Sequence, residues 1–290
     1  MNYSIENDLL KVEISAKGAE LQSIVHKQTG LEYLWSGDAA FWGKKSPVLF
    51  PIVGGLKNNT YSYDDKTYHL GRHGFAREMT FAPGAQTDDS ISFIRTSNEE
   101  TWEHYPFNFT FTVGYALKEN RLEVTYHVKN QSHGSMYFSV GGHPAFKVPL
   151  APDTTFEDYY LQFSDVEDAG KWPLSKDGLI ESAPVPSLEN TDHLPLKKSL
   201  FYQDALVFKH LRSNSIAIVS DKTAHGLKVK FDGFPFMGIW NAKDADFVCI
   251  EPWCGIADSV NATGRLEDKE GIQLLRESEI FERSWSVELF

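Results

Sequence analysis

Two residues with complementary proton chemistry stand in matching local settings. His143 lies in Gly141-Gly142-His143-Pro144-Ala145-Phe146 and Glu251 in Glu251-Pro252-Trp253, so each directly precedes a proline. A following pyrrolidine ring disfavours helical backbone and pushes the preceding residue to extended geometry. Met136, Phe138 and Val140 alternate before the first motif, and Phe247-Val248-Cys249-Ile250 form an apolar run before the second. Both side chains are therefore expected at strand ends. An imidazole can give and retrieve a proton near neutral pH, and an ionised carboxylate can accept one. Together they fit general acid–base catalysis.

Other candidates are weaker alone. His73 sits in Arg72-His73-Gly74-Phe75, after a hairpin, and His69 lies four residues earlier. On a helix that spacing would pair metal ligands; on a strand and turn it need not converge. No Cys/His cluster has zinc spacing, so no metal site is expected. Arg77 can pair with an acidic side chain or a ligand. Asp204, in Gln203-Asp204-Ala205-Leu206-Val207, either hydrogen-bonds a ligand hydroxyl or flanks a strand as a turn residue. Gly141 and Gly142 interrupt a strand, where glycine marks a bulge or close approach by a ligand. No serine lies in a strand–elbow–helix context, and no glycine-rich loop opens a helix. Serine-hydrolase and nucleotide chemistry are not supported.

The elements that must position these groups read as strands. Phe107, Phe109, Phe111, Val113, Tyr115 and Leu117 alternate without a miss, then Leu122, Val124, Tyr126 and Val128 do so again. With the strand ending at His143, they predict an antiparallel sheet with one face buried. Leu10, Val12 and Ile14 begin another strand. Tyr61-Ser62-Tyr63 and Thr67-Tyr68-His69-Leu70 flank Asp64-Asp65 as a hairpin. The segment Pro47 to Gly55 reads as a buried extended loop, and 147–200, punctuated by six prolines, as long surface connections with one short strand at Tyr159–Phe163. Further strands follow to the end, and no segment keeps a helical period beyond two turns. The reading is one all-β domain over 1–290, a large sandwich or barrel.

Composition narrows the partners. The formal net charge of −12 argues against a general phosphate-backbone binder, while leaving room for a local anion site built from a few arginines. The start of the chain lacks a basic, apolar signal pattern, and no apolar run approaches membrane-helix length. Two cysteines, Cys249 and Cys254, are too few for a disulfide framework and fit reduced thiols in the cytoplasm. Aromatics reach 13%, which suits strand surfaces and offers faces for sugar rings.

Taken jointly, His-Gly-Phe-Ala-Arg at 73–77, Gly-Gly-His-Pro-Ala-Phe at 141–146 and Glu-Pro-Trp-Cys-Gly-Ile-Ala-Asp-Ser at 251–259 resemble the galactose mutarotase (aldose 1-epimerase) superfamily, in its LacX-type branch. The resemblance implies a large antiparallel β-sandwich with an open cleft, the galactose mutarotase-like supersandwich. It implies interconversion of the α and β anomers of a free hexose, galactose among them, without metal or organic cofactor. By resemblance His143 protonates the ring oxygen, Glu251 takes the anomeric hydroxyl proton and His73 positions the sugar near its ring oxygen. Asp204 matches a substrate-binding aspartate. One departure is that Gly55 stands where many relatives carry an arginine that contacts sugar hydroxyls or a phosphate; Arg77, Arg72 and Lys57 are the candidates to replace it. A hexose 6-phosphate mutarotase and a non-catalytic sugar-binding protein on this scaffold are the alternatives. The expected partner is a small sugar, with no nucleic acid or membrane, and the protein a monomer or homodimer.

Overall fold

A computed structural model describes residues 1–290 as 23 strands, one six-residue α-helix (Glu99–His104) and five short 3₁₀ turns. The all-β expectation holds, and no helix is long and apolar enough to cross a membrane. Nine strands form one antiparallel sheet. From one edge they run Val185–Pro195, Tyr159–Lys171, Ser215–Ser220, Thr223–Lys230, Ile280–Leu289, Arg121–Asn130, Phe109–Lys118, Ser90–Thr96 and Ala82–Gln86. A six-stranded sheet is built from Leu206–Lys209, Phe236–Trp240, Phe247–Cys254, Val140–Gly142 and Val48–Leu49, with Ala145–Lys147 also pairing Phe247–Cys254. A four-stranded sheet covers the N-terminal residues.

The two large sheets meet through the alternation seen in the sequence. In Phe109–Lys118 every second residue is buried, and its pairing with Arg121–Asn130 runs unbroken from Phe109–Asn130 to Lys118–Arg121. Phe50 stacks on Phe111 at 4.5 Å between ring centres and meets Phe109 edge-on at 5.0 Å. Val248, Ile250, Met237 and Ile239 from the six-stranded sheet join these rings in one cluster of 63 buried residues. Truncating one such core ring costs about 3–5 kcal/mol in comparable cores. Gly142 lies against Tyr126 and Trp285 of the facing sheet; a Cβ there would come within 2.8 Å of the Tyr126 hydroxyl.

The Pro47–Gly55 segment is buried throughout, as expected, and contributes the short edge strand Val48–Leu49. The expectation for 147–200 is corrected. Tyr159–Lys171 and Val185–Pro195 form a long paired hairpin whose register shifts three times. The bulges break the alternation, and prolines are tolerated because Val185–Pro195 is the sheet's edge strand. Both cysteines are free and buried.

The six-stranded sheet is two-faced. Along Phe247–Cys254 the even positions Val248 and Ile250 face the shared core. Phe247, Cys249, Glu251 and Trp253 face the other way, into two smaller apolar clusters and the cleft between them.

Candidate active site

Strand register places the two pre-proline residues opposite one another. Val140 and Gly141 pair Cys254 and Trp253, and Ala145 and Phe146 pair Cys249 and Val248. The register is identical on both sides of the interruption, so His143 stands directly across from Glu251. Pro144 has no N–H to continue the ladder, and the backbone N–H of His143 instead donates to the Pro47 carbonyl at 3.1 Å. The result is a contact of 3.3 Å between His143 Nε2 and Glu251 Oε2, with both side chains almost wholly buried. Gly238 opposes Glu251 on the other side, and the Trp253 ring lies over it; a Cβ there would sit 2.4 Å from the indole.

His73 arrives from a different part of the chain. It occupies a left-handed turn after the Thr60–His69 hairpin, with φ of 66°, and Gly74 follows at 70°. Such backbone is costly for a histidine and is tolerated where the surroundings fix it. The turn presses against Phe50, whose carbonyl accepts from both Phe75 and Ala76 at 3.1 Å. A Cβ on Gly74 would fall 2.3 Å from that oxygen, so only glycine fits. His73 Nδ1 accepts the Gly54 N–H at 3.1 Å, which in the neutral ring leaves the proton on Nε2. The His73 and His143 rings lie 5.7 Å apart.

These residues line one cavity of about 940 Å³. All five residues singled out in the sequence, His73, Arg77, His143, Asp204 and Glu251, border it. Asp204 sits before Leu206–Lys209 with φ of 103°, its carboxylate accepting the Ala205 N–H at 2.7 Å. Arg77 is half-buried; it donates to the Arg72 carbonyl at 3.0 Å, and its Nε has no protein partner. Of the three candidates to stand in for an arginine near Gly55, Arg72 and Arg77 line the cavity. Lys57 turns away to the Val260 carbonyl at 2.9 Å.

Two features escaped the sequence reading. Trp42 packs on His143 at 4.9 Å between centres and Trp240 meets it edge-on at 5.5 Å, so the imidazole is held between aromatic walls. The density of tryptophan was the available signal, but Trp42 lies in a segment without period. The second is Cys249, whose thiol lies with His143 and Glu251 in a group with potential ligand atoms all within 4.8 Å.

Burial dominates the electrostatics. It holds His73 well below the usual imidazole range, helped by His143, Arg77 and Arg72. It pushes His143 down to about 3, against a backbone hydrogen bond and with Arg77 adding to the shift. Burial raises Glu251 well above the usual carboxylate range; the neighbouring Trp253 indole opposes this and the Asp204 charge adds to it. Desolvation thus favours a neutral His143–Glu251 pair carrying one proton, despite the close contact that would suit an ion pair.

Gly54→Ala probes the His73 anchor. Gly54 has φ of 72°, and a Cβ there would lie 2.5 Å from Ala257 Cβ, so the loop must move and withdraw its N–H from His73. The expected outcome is a displaced His73 imidazole signal by NMR with the melting temperature still well above the measurement temperature; an unmoved signal would show that the Gly54 N–H does not hold the ring.

Comparison with known proteins converges on one family. The aldose 1-epimerase family profile matches residues 1–276. Protein LacX (chromosomal) of Lactococcus lactis subsp. lactis is 33% identical over 296 residues, covering 99% of each chain. The structure of a galactose mutarotase related enzyme from Lactobacillus acidophilus superposes with a TM-score of 0.95 at 41% identity, covering 100% of this chain and 97% of that one. A galactose mutarotase-like protein from Lactobacillus casei ATCC 334 gives 0.91 at 30% identity, with both chains covered completely. The chain belongs to the aldose 1-epimerase family.

Proposed function

We propose that the protein is a hexose mutarotase in which His143 and Glu251 move the protons and His73 holds the sugar. The observation that carries this reading is the 3.3 Å contact between His143 and Glu251 in a cleft wide enough for a sugar. Anomerisation opens a cyclic hemiacetal by protonating its ring oxygen while the anomeric hydroxyl loses a proton, then recloses on the other carbonyl face. Both oxygens are bonded to one carbon. The acid and the base must therefore be near neighbours, and these two are.

His143 donates to the ring oxygen and Glu251 accepts from the anomeric hydroxyl. The pair needs one proton in total; once the 3.3 Å approach of Nε2 and Oε2 aligns as a hydrogen bond, moving that proton from carboxyl to imidazole converts the neutral pair into imidazolium and carboxylate. Ring closure runs the same steps backwards, so the roles exchange. His73 Nε2–H supplies a hydrogen bond near the ring oxygen, while Asp204 and Arg77 take sugar hydroxyls. Trp42 and Trp240 offer apolar faces to the C–H side of the ring. No step requires a covalent nucleophile. The geometry also favours catalysis over simple sugar binding, which has no use for a buried acid–base pair.

Anomer exchange measured by NMR across glucose, galactose and their 6-phosphates tests the reading. At least one aldose should be accelerated, and His143→Ala should remove about 10²–10⁴-fold of that rate. No acceleration with any aldose would refute the proposal.

A second reading concerns the sugar's charge. Arg72, Arg77, Lys171 and Lys176 line the cavity against the two carboxylates Asp204 and Glu251, in a chain of net charge −12. That local excess of positive charge suits a phosphorylated hexose. If the phosphorylated substrate is the preferred one, Arg77→Ala should raise its KM with little change in kcat and raise the neutral sugar's KM, which loses only a hydroxyl contact, much less. Equal KM changes for both sugars would reject phosphate recognition by Arg77.

A further inference from the structure

We propose that His143, Cys249 and Glu251 form an inhibitory site for a thiophilic divalent cation, with zinc(II) the best match to the donor set. The site is distinct in chemistry from the proton transfer above. Its inhibitory effect rests on that reading, whereas its existence does not.

The ligand geometry comes from the sheet itself. Cys249 and Glu251 are two residues apart on one strand and so project from the same face, while His143 stands opposite Glu251 in register. Their ligand atoms lie within 4.8 Å of one another, and the imidazole Nε2 and carboxylate Oε2 are 3.3 Å apart. Zinc binds nitrogen and oxygen at roughly 2.0–2.1 Å and thiolate at roughly 2.3 Å in tetrahedral arrangement, which sets neighbouring ligands about 3.3–3.5 Å apart. One edge of that tetrahedron is already present, and the other separations, which reach up to 4.8 Å, must close by as much as about 1.3 Å.

Two further observations point to a ligand. Glu251 Oε2 is buried, faces His143, and has no hydrogen-bond partner in the protein; His143 Nδ1 is likewise unpartnered. Thiolate, imidazole and carboxylate together favour zinc over magnesium or calcium, which take all-oxygen sites. Three protein ligands leave a fourth tetrahedral position. His143 and Glu251 both border the cleft, so that position is within reach of water or a sugar hydroxyl.

Binding displaces the thiol proton and the Glu251 carboxyl proton, leaving a neutral imidazole to offer a lone pair. The cation then occupies the lone pairs that would accept and return protons. Metal-free protein is the active form, and zinc switches it off by direct competition for the same atoms. Cys249 takes no part in anomerisation, so the thiol supplies cation affinity without contributing to the rate.

The test uses full-length protein stripped with EDTA and titrated separately with zinc(II) and cobalt(II). Cobalt should bind one equivalent and give a near-ultraviolet thiolate charge-transfer band with visible transitions typical of four-coordination. One equivalent of zinc should lower mutarotation by about 10²-fold or more, since both proton-transfer groups are tied up, and EDTA should restore it. Cys249→Ser should keep the metal-free rate, lose the charge-transfer band and weaken zinc inhibition by at least about tenfold in concentration. Cys249→Ala serves the same purpose if the serine variant does not fold, and Cys254→Ser should behave as wild type. Absence of the cobalt band, or zinc inhibition undiminished in both Cys249 variants, would overturn the site. Active wild-type protein without the band disproves the cation site alone. A cobalt band in protein inactive on every aldose disproves the mutarotase reading alone.

Discussion

Glu251→Gln should lower mutarotation by about 10²–10⁴-fold and at the same time raise the melting temperature at pH 8. The two effects have one origin. Glu251 is only 2% exposed and burial holds its pKa above the unfolded value. Between the unfolded and folded pKa values the native state binds the proton more readily than the unfolded chain, so stability falls as pH rises through that window and stays lowered above it. Glutamine cannot ionise and escapes this penalty. The gap in melting temperature between variant and wild type should therefore open above about pH 4.3 and widen with pH, by about 2–4 °C per kcal/mol relieved. His143 acts in the opposite sense. Its folded value near 3 costs stability as pH falls below the usual imidazole range, and it does so in both proteins. Scanning calorimetry at a series of pH values, beside anomer exchange, checks both halves. A variant that is less stable at every pH would show that the carboxylate is held by interactions stronger than its desolvation.

Asp258→Asn should be the most destabilising single change near the site, by about 3–5 kcal/mol, the usual cost of leaving one member of a buried ion pair alone. Lys269 Nζ donates to Asp258 Oδ1 at 2.8 Å, with the two side chains 1% and 5% exposed. The second carboxylate oxygen accepts the Lys57 N–H at 3.0 Å, and the Asp258 N–H donates to the Gly55 carbonyl at 2.9 Å. This one residue therefore pins the Gly54–Lys57 segment, which in turn donates to His73. Burial already holds Lys269 below the usual lysine range against the pull of Asp258. Without its partner the ammonium must shed its proton or draw in water. Calorimetric unfolding should register the loss, and replacing the pair together by Asp258→Leu and Lys269→Met should recover part of it. A shift smaller than 1 °C would mean that water already solvates the ammonium.

The parts of the site legible in the sequence were those fixed by local chemistry. A proline after His143 and after Glu251 dictates extended backbone, and the glycines beside His143 and His73 mark tight packing, so these positions could be singled out before any fold was known. Their meeting could not be read from composition alone, because it depends on a register between residues 108 positions apart. Cys249 was hidden for a related reason. It stands inside an apolar run, where a buried thiol looks like any small hydrophobe. The nine-stranded sheet was legible where one face is wet, as in Phe109–Lys118, and illegible in Tyr159–Lys171, where bulges desynchronise the alternation. Trp42 was missed because it reaches His143 from an irregular loop that carries no periodic signal.

The two-faced strand Phe247–Cys254 constrains which parts of the site can change independently. Its alternate residues belong to the common core and to the cleft, so a substitution or slip that alters one face disturbs the other. The placement of Glu251 in the cleft is thereby tied to the packing of the core behind it. Part of the cavity's wall comes from the segments around Trp42, 171–180 and 200–205, which lie largely outside the large sheets' paired cores. Those segments can therefore be remodelled without disturbing the strand that carries Glu251 and Cys249.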